Sequence, residues 1–178
     1  MTVTPRADYD VYTSISSAAE FTSTMPKSTS VPRPCACTTV RRASRVLARV
    51  FDAALEPAGM NITQLALLRA VQRHPGEPLL RVAEDLCMDR TSLYRAVTPM
   101  QRDGWLNISA GADGRSRAAE LTRKGLQVLE AVDPVWVRTQ TAIIERFGRA
   151  KWPVLVGELQ RLAACARDAG SSPAIERT

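Results

Sequence analysis

The length, composition and charge of this sequence exclude several classes of protein. Its 178 residues suit one ordinary domain with tails, and 45% apolar with 24% charged residues exclude a chain that is disordered throughout. No stretch approaches the ~18–20 uncharged apolar residues of a membrane-spanning helix. The net charge of +6 is compatible with a polyanionic partner, either nucleic acid or anionic lipid, and a basic soluble protein without such a partner explains it equally well.

Residues 1–34 differ in composition from the rest of the chain. Roughly a third of them are Ser or Thr, and four prolines interrupt them. Such a segment buries too little apolar surface to offset the entropy of ordering, so we predict a disordered tail. We also hypothesise that Met25 is the true start of the native chain. The structured domain is predicted over residues 35–178.

The first two helices are predicted from apolar residues that recur every three or four positions. The first covers Val40–Leu55 and stops before Pro57. The second begins at a cap supplied by Asn61 or Thr63 and ends before Pro75. Both helices are therefore amphipathic, with one face available for packing.

A tight break separates a short third helix, Leu80–Leu86, from a fourth, Arg90–Asp103. Asp89 is predicted to cap the start of the fourth helix, and Gly104 to end it. Cys87, within the break, is predicted to be a small buried residue.

A hairpin and two further helices complete the chain. Strands are predicted over Trp105–Ser109 and Arg117–Leu121, because the residues between them have the composition of a turn. A long helix then runs from a cap at Thr122 to about Phe147, and a last one covers Lys151–Asp168.

This order of elements predicts a mainly α fold, a winged helix-turn-helix with a small β-hairpin wing. In such folds the second helix of the motif enters the major groove of DNA, and its N-terminal side chains reach base edges. Arg95 suits a bidentate bond to guanine, whereas Thr91 and Ser92 suit phosphate or base. Pro99 predicts a bend that affects the reach of the residue before it. The outward-facing candidates are Arg90, Thr91, Ser92, Tyr94, Arg95 and Thr98. The alternative is an ordinary solvated helix face.

The segment from Met88 to Leu121 resembles the recognition helix and wing of the MarR family of transcriptional regulators. The likeness rests on Asp113-Gly114-Arg115 and on Leu121-Thr122-Arg123-Lys124-Gly125, which match the family's Asp-x-Arg wing motif and the L-T-x-x-G that follows. The resemblance implies that Arg115 reaches the minor groove and that Asp113 holds it by a salt bridge. Arg117 lies near the same tip and is a further candidate.

The resemblance covers about residues 36–168 and implies two regions with different functions. Residues 60–121 would form the DNA-binding lobe, and 36–56 with 122–169 the helices of a homodimer. It implies a repressor that binds a pseudo-palindromic duplex operator, without a cofactor, and is released by a small phenolic or other aromatic acid or by cysteine oxidation. The effector itself is not assigned. We expect a cytoplasmic, nucleoid-associated protein without a membrane partner.

The cysteines supply the other candidate chemistry. Cys35 and Cys37 lie at or just before the first helix, where the helix N-terminus and nearby arginines favour thiolates, so they are candidate redox sensors. The alternative is two incidental small residues. A Cys-x-Cys pair with one histidine is not a zinc spacing, so we expect no metal. No nucleotide-binding, serine-hydrolase or zinc-peptidase motif is present, so we assign no catalytic residue and expect no enzyme. A winged helix that binds proteins rather than DNA is a further alternative.

Overall fold

The computed structural model describes residues 34–111 and 114–171. The predicted tail, apart from Pro34, lies outside these ranges. Over the described residues the chain is mainly helical, with one antiparallel hairpin. In chain order the elements are α1 (Ala36–Leu55), a 3-10 turn (Glu56–Ala58), α2 (Ile62–Arg73), α3 (Leu79–Asp85), α4 (Arg90–Arg102), β1 (Leu106–Ala110), β2 (Arg117–Leu121), α5 (Arg123–Phe147) and α6 (Lys151–Ser171).

The predicted element order is confirmed, and the bounds differ at a few ends. α1 begins at Ala36 rather than Val40, because its first turn is exposed and carries no apolar face that would mark it. β1 is displaced by one residue, to Leu106–Ala110. At the start of α2, Asn61 rather than Thr63 is the cap: its side chain accepts a bond from the Gln64 N–H at 2.9 Å.

The hydrophobic core lies within the helix-turn-helix. Helices α2, α3 and α4 pack around it, and the last residue of α1 and the first half of α5 close it. Each fully buried leucine stabilises the fold by about 1.5–3 kcal/mol. The largest fully buried side chains are Leu55, Leu65, Leu67, Leu68, Leu79, Leu93, Met100, Val71, Val82, Val97 and Val132.

The hairpin is fixed to the core at its base. Its register pairs Leu106 with Leu121, next to the start of α5. A side chain at Gly125 would overlap the backbone carbonyl of Trp105, so the first turn of α5 passes directly over the start of the hairpin. The hydroxyl of Thr122 donates to the Gly104 carbonyl at 2.6 Å. These contacts give a structural reason for the threonine and glycine of the L-T-x-x-G pattern.

The turn between α3 and α4 corrects the prediction for Cys87. This residue is exposed rather than buried, with a left-handed backbone at φ 51°. Met88, the next residue, packs against the core instead. The turn lies on the surface, so the small residue faces solvent while the larger neighbour is partly buried.

Helices α1, α5 and α6 leave much apolar surface exposed. No residue of α6 whose burial is described is buried, and Val154 is 64% exposed. The other large exposed apolar residues on these helices are Val40, Val46, Leu47, Val50, Leu126, Val137, Phe147, Leu159 and Leu162. Among the helices of the described ranges, none is both long and apolar enough to cross a membrane.

Candidate nucleic-acid interface

The start of α4 is organised by one carboxylate. Asp89 caps the helix as predicted: its Oδ1 accepts from the Ser92 N–H at 2.9 Å, and its Oδ2 accepts from the Ser92 hydroxyl at 2.6 Å. The Ser92 hydroxyl and backbone bonds hold the pKa of the Asp89 carboxyl below its ordinary value. The first residues of α4 are thereby fixed in a regular helical start.

The candidate residues on α4 lie on its solvent side. Arg90, Thr91, Ser92, Arg95 and Thr98 are exposed, and Tyr94 is half-buried. The opposite side carries Leu93, Val97 and Met100, which are buried in the core. The helix therefore presents a polar face that is held rigidly by the packing beneath it.

Two contacts involve Tyr94 on this side of the helix. The Arg90 guanidinium lies over the Tyr94 ring, 5.7 Å from its centroid, within the range of a cation–π interaction. The Thr98 hydroxyl donates to the Tyr94 carbonyl at 2.7 Å. Pro99 lacks an N–H, yet α4 continues as one helix to Arg102.

The wing brings further cations to the same place. Arg115 and Arg117 are exposed, and together with Arg90 they line one open cleft of about 470 Å³ between α3, α4 and the wing. Asp113 lies outside the described residues, so its salt bridge with Arg115 remains a prediction. The other residues that line the cleft are Pro78, Leu79, Leu80, Leu93, Tyr94 and Ser116. Residues from two distant parts of the sequence thus form one basic surface.

The contact between α2 and α5 was not predicted from the sequence. The Arg69 guanidinium lies 3.9 Å from the centre of the Trp136 ring and bonds Asp133 at 2.6 Å. Small cavities of about 340 and 220 Å³ flank this contact. Asp133 and Arg69 are 64 residues apart, and no local pattern links them.

The cysteines and the acidic residues are the remaining candidates for redox or metal chemistry. Cys35, Cys37, Cys87 and Cys165 are all exposed. Within residues 34–111 and 114–171, no group of three or more His, Cys, Asp or Glu residues is placed to hold a metal ion.

A second carboxylate, Asp85, links α2 to α3. It bonds Arg73 at 2.6 Å and lies 3.7 Å from a nitrogen of His74. The Arg73 hydrogen bond lowers the pKa of the Asp85 carboxyl. This pair is largely exposed and lies outside the basic cleft.

Comparison with known proteins identifies the family. No protein-family model and no curated protein matches the sequence. The M. tuberculosis transcriptional regulator MosR, solved in complex with DNA, is 33% identical, with a TM-score of 0.70 over 76% of this chain and 98% of that one. A second MosR crystal structure is 31% identical, with a TM-score of 0.69 over the same shares.

A third structure shares the fold at lower identity. The Streptomyces coelicolor regulator PcaV, solved with its natural ligand, is 21% identical, with a TM-score of 0.67 over 74% of this chain and 93% of that one. The identity to MosR over nearly its whole length, together with the hairpin wing and its motifs, is sufficient for assignment. The chain belongs to the MarR family of winged helix-turn-helix transcriptional regulators.

Proposed function

We propose that this regulator binds an operator duplex as a homodimer, with α4 in the major groove and the wing along the minor groove. The observation that carries this proposal is the single basic cleft formed by Arg90, Arg115 and Arg117. Guanidinium groups bind phosphates and guanine edges, and an arginine in a narrow minor groove benefits from the negative potential there. The DNA complex of MosR supports the same role for this chain.

The exposed apolar surface of α1, α5 and α6 supports the homodimer. Apolar residues such as Val46 and Leu159 are 51% and 41% exposed in the single chain. Many large apolar residues exposed on the same three helices are typical of an interaction site, and a two-fold partner would cover them. Such a dimer places two recognition helices about one DNA turn, ~34 Å, apart, so we expect a pseudo-palindromic operator and, in keeping with the family, repression.

Anisotropy titrations on the upstream intergenic DNA of the protein's own gene test this proposal. We expect selective binding that weakens steeply between two salt concentrations, and a loss of about tenfold or more for Arg95→Ala or Arg115→Ala. Arg149→Ala is the matched control, since it removes the same charge from a residue that pairs with Glu145 outside the lobe.

Two results contradict the proposal. Binding to the upstream DNA and to random DNA with equal affinity argues against an operator there. Absence of salt-dependent binding to any duplex favours the alternative, a winged helix that binds a protein partner.

We infer that a small aromatic acid acts as effector between α2 and α5. The cavity of about 220 Å³ there is lined by apolar groups such as Leu65 and Trp136, and by the cations Arg69 and Arg73. An aromatic ring suits the apolar walls, and a ligand carboxylate would compete with Asp133 and Asp85 for the guanidinium groups of Arg69 and Arg73. A panel of benzoates added to the protein–DNA complex tests this. Release of DNA that is lost in Trp136→Leu supports the site, and equal release from wild type and variant contradicts it.

Oxidation of Cys35 and Cys37 is the second candidate for control. Both thiols are exposed, as a sensor requires. Peroxide would convert the two thiols to a disulfide with release of water. Operator affinity that falls on peroxide treatment in wild type, but not in Cys35→Ser, supports this role. Unchanged affinity in both ends it.

A further inference from the structure

The hydrogen bonds at the start of α4 determine what its first polar residues can offer to DNA. The Ser92 hydroxyl has one proton, and it is donated to Asp89 Oδ2 at 2.6 Å. The Ser92 Oγ therefore presents only lone pairs outward. Asp89 is exposed, and both of its oxygens already accept bonds from Ser92 while keeping further lone pairs.

The charge of this pair is fixed as well as its geometry. The same Ser92 bonds hold the pKa of the Asp89 carboxyl below its ordinary value, so the group is an anion near neutral pH. An anion that only accepts hydrogen bonds repels DNA phosphates. It also finds no partner in guanine O6 and N7 or in thymine O4, which are acceptors.

The major groove offers two donors to such a group. These are the exocyclic amino groups N4 of cytosine and N6 of adenine, and carboxylates are known to accept from cytosine N4. Asp89 and Ser92 lie at the N-terminal end of α4, which is the end that contacts base edges in a helix-turn-helix. Arg90 and Arg95, both exposed in the first two turns of the same helix, supply the attraction to DNA that this pair lacks.

We propose that Asp89 and Ser92 form one acceptor-only unit that selects an exocyclic amino group in each half-site and weakens binding to all other DNA. This inference rests on the proposed function, since it assigns specificity to the same helix. It gives Ser92 a base-reading role in place of a phosphate contact.

The first test compares Asp89→Asn with Asp103→Asn. Asparagine caps a helix as well as aspartate does, so α4 is preserved, and thermal unfolding checks this. Asp103 ends the same helix about 20 Å away, beyond the ~8 Å screening length, so its substitution removes the same charge far from the contact. We expect Asp89→Asn to bind random duplex more tightly than wild type and to lower the ratio of operator to random affinity about tenfold. Asp103→Asn should leave the ratio unchanged.

The Ser92→Ala variant tests the Ser92 hydroxyl separately from the charge of Asp89. It keeps the cap, because the backbone N–H of residue 92 still bonds Asp89, but it removes the hydroxyl. We expect a lower operator affinity with unchanged affinity for random duplex. If neither variant changes the ratio while wild type still selects its operator, this inference is wrong and the proposed function stands.

Methylated operators then identify the amino group without any protein variant. In N4-methylcytosine and in N6-methyladenine, a methyl group takes the place of the amino hydrogen that faces the major groove. Each test operator carries one such base. Loss of wild-type affinity at one position with N4-methylcytosine assigns cytosine, and loss with N6-methyladenine assigns adenine. Unchanged affinity with both at every position of the half-site overturns the inference. A wild type that prefers no duplex at all would instead refute the proposed function.

Discussion

The helix-turn-helix lobe and helix α6 use similar apolar sequence patterns with opposite results. In the lobe, Val97 and Met100 are fully buried within one chain. In α6, Leu159 and Leu162 are 41% and 42% exposed. The lobe therefore buries its apolar side chains within one chain, whereas α6 leaves an exposed apolar surface that we assign to contact with a second copy. Apolar periodicity shows which face of a helix becomes buried, and it does not show whether the same chain covers it.

The largest effect is expected from substitutions in the exposed apolar surface of α6. The double variant Leu159→Glu/Leu162→Glu would place unpaired carboxylates in the proposed dimer interface, at a cost on the order of 5 kcal/mol. We expect a monomer by sedimentation, with operator binding lost. Leu80→Glu, on the exposed side of α3 at 61% exposure, is the control for added charge in sedimentation alone, since Leu80 lines the basic cleft, and it should keep the dimer. A double variant that still sediments as the wild type does contradicts the interface.

The next largest effect is expected from a substitution in the core of the helix-turn-helix lobe. Leu68→Ala removes a fully buried side chain and should lower the free energy of unfolding by about 3 kcal/mol, because the core cannot close the cavity fully. Leu80→Ala should change it by less than about 0.5 kcal/mol. Urea denaturation at one protein concentration measures both. Equal losses would mean that the lobe core is not the main source of stability.

A matched pair of glycines sharpens the comparison. Gly125→Ala would place a methyl group against the Trp105 carbonyl at the base of the wing, and should cost about 1–3 kcal/mol. Gly157→Ala, in α6, meets no atom within 4 Å and should stabilise by about 0.5–1 kcal/mol through helix propensity. Thermal unfolding of both variants gives the signs. A stabilising Gly125→Ala would contradict the close approach.

The smallest effect concerns the ion pair between α2 and α3. Arg73 holds the pKa of Asp85 below its ordinary value of 3.8. The carboxylate therefore stabilises the folded state above that pH, and this contribution is lost as the pH falls through the lowered pKa of the folded state. Because the pair is exposed, Asp85→Asn should cost less than about 1 kcal/mol at neutral pH.

Urea denaturation across the acid range measures this contribution. The difference between wild type and Asp85→Asn should disappear at the acid end, and Arg73→Gln should reproduce the loss at neutral pH. A difference that stays constant down to the lowest pH would show that the ionised carboxylate is not its source.

Much of the fold was predictable because its signals are local. Asp89 caps α4, Thr122 caps α5, and Gly104 follows α4 with a left-handed backbone, as the sequence predicted. Each signal depends on hydrogen bonds or backbone angles within a few residues. The wing strand Arg117–Leu121 has the predicted bounds for the same reason.

The candidate site was predictable as a set of residues but not as an arrangement. The periodicity of α4 assigned Arg90 and Arg95 to its outward face, where the structure has them. It gave no sign that Arg90 shares a cleft with Arg115, or that the Ser92 hydroxyl is bonded to Asp89. The Asp-x-x-Ser spacing predicts the N-cap bond to the Ser92 N–H, but it does not distinguish whether the Ser92 hydroxyl also bonds Asp89.

By itself the sequence determined the order of the helices, their caps, the hairpin and the motifs of the family, because short-range hydrogen bonding and side-chain periodicity encode them. Only the tertiary structure decided that Gly125 must pass over Trp105, that Arg69 stacks on Trp136, and that Cys87 faces solvent. These features depend on contacts between segments that are far apart in the chain or on which side of a surface turn faces the core. The packing of side chains in three dimensions determines these long-range contacts and the orientation of the turn, and no pattern of neighbouring residues predicts them.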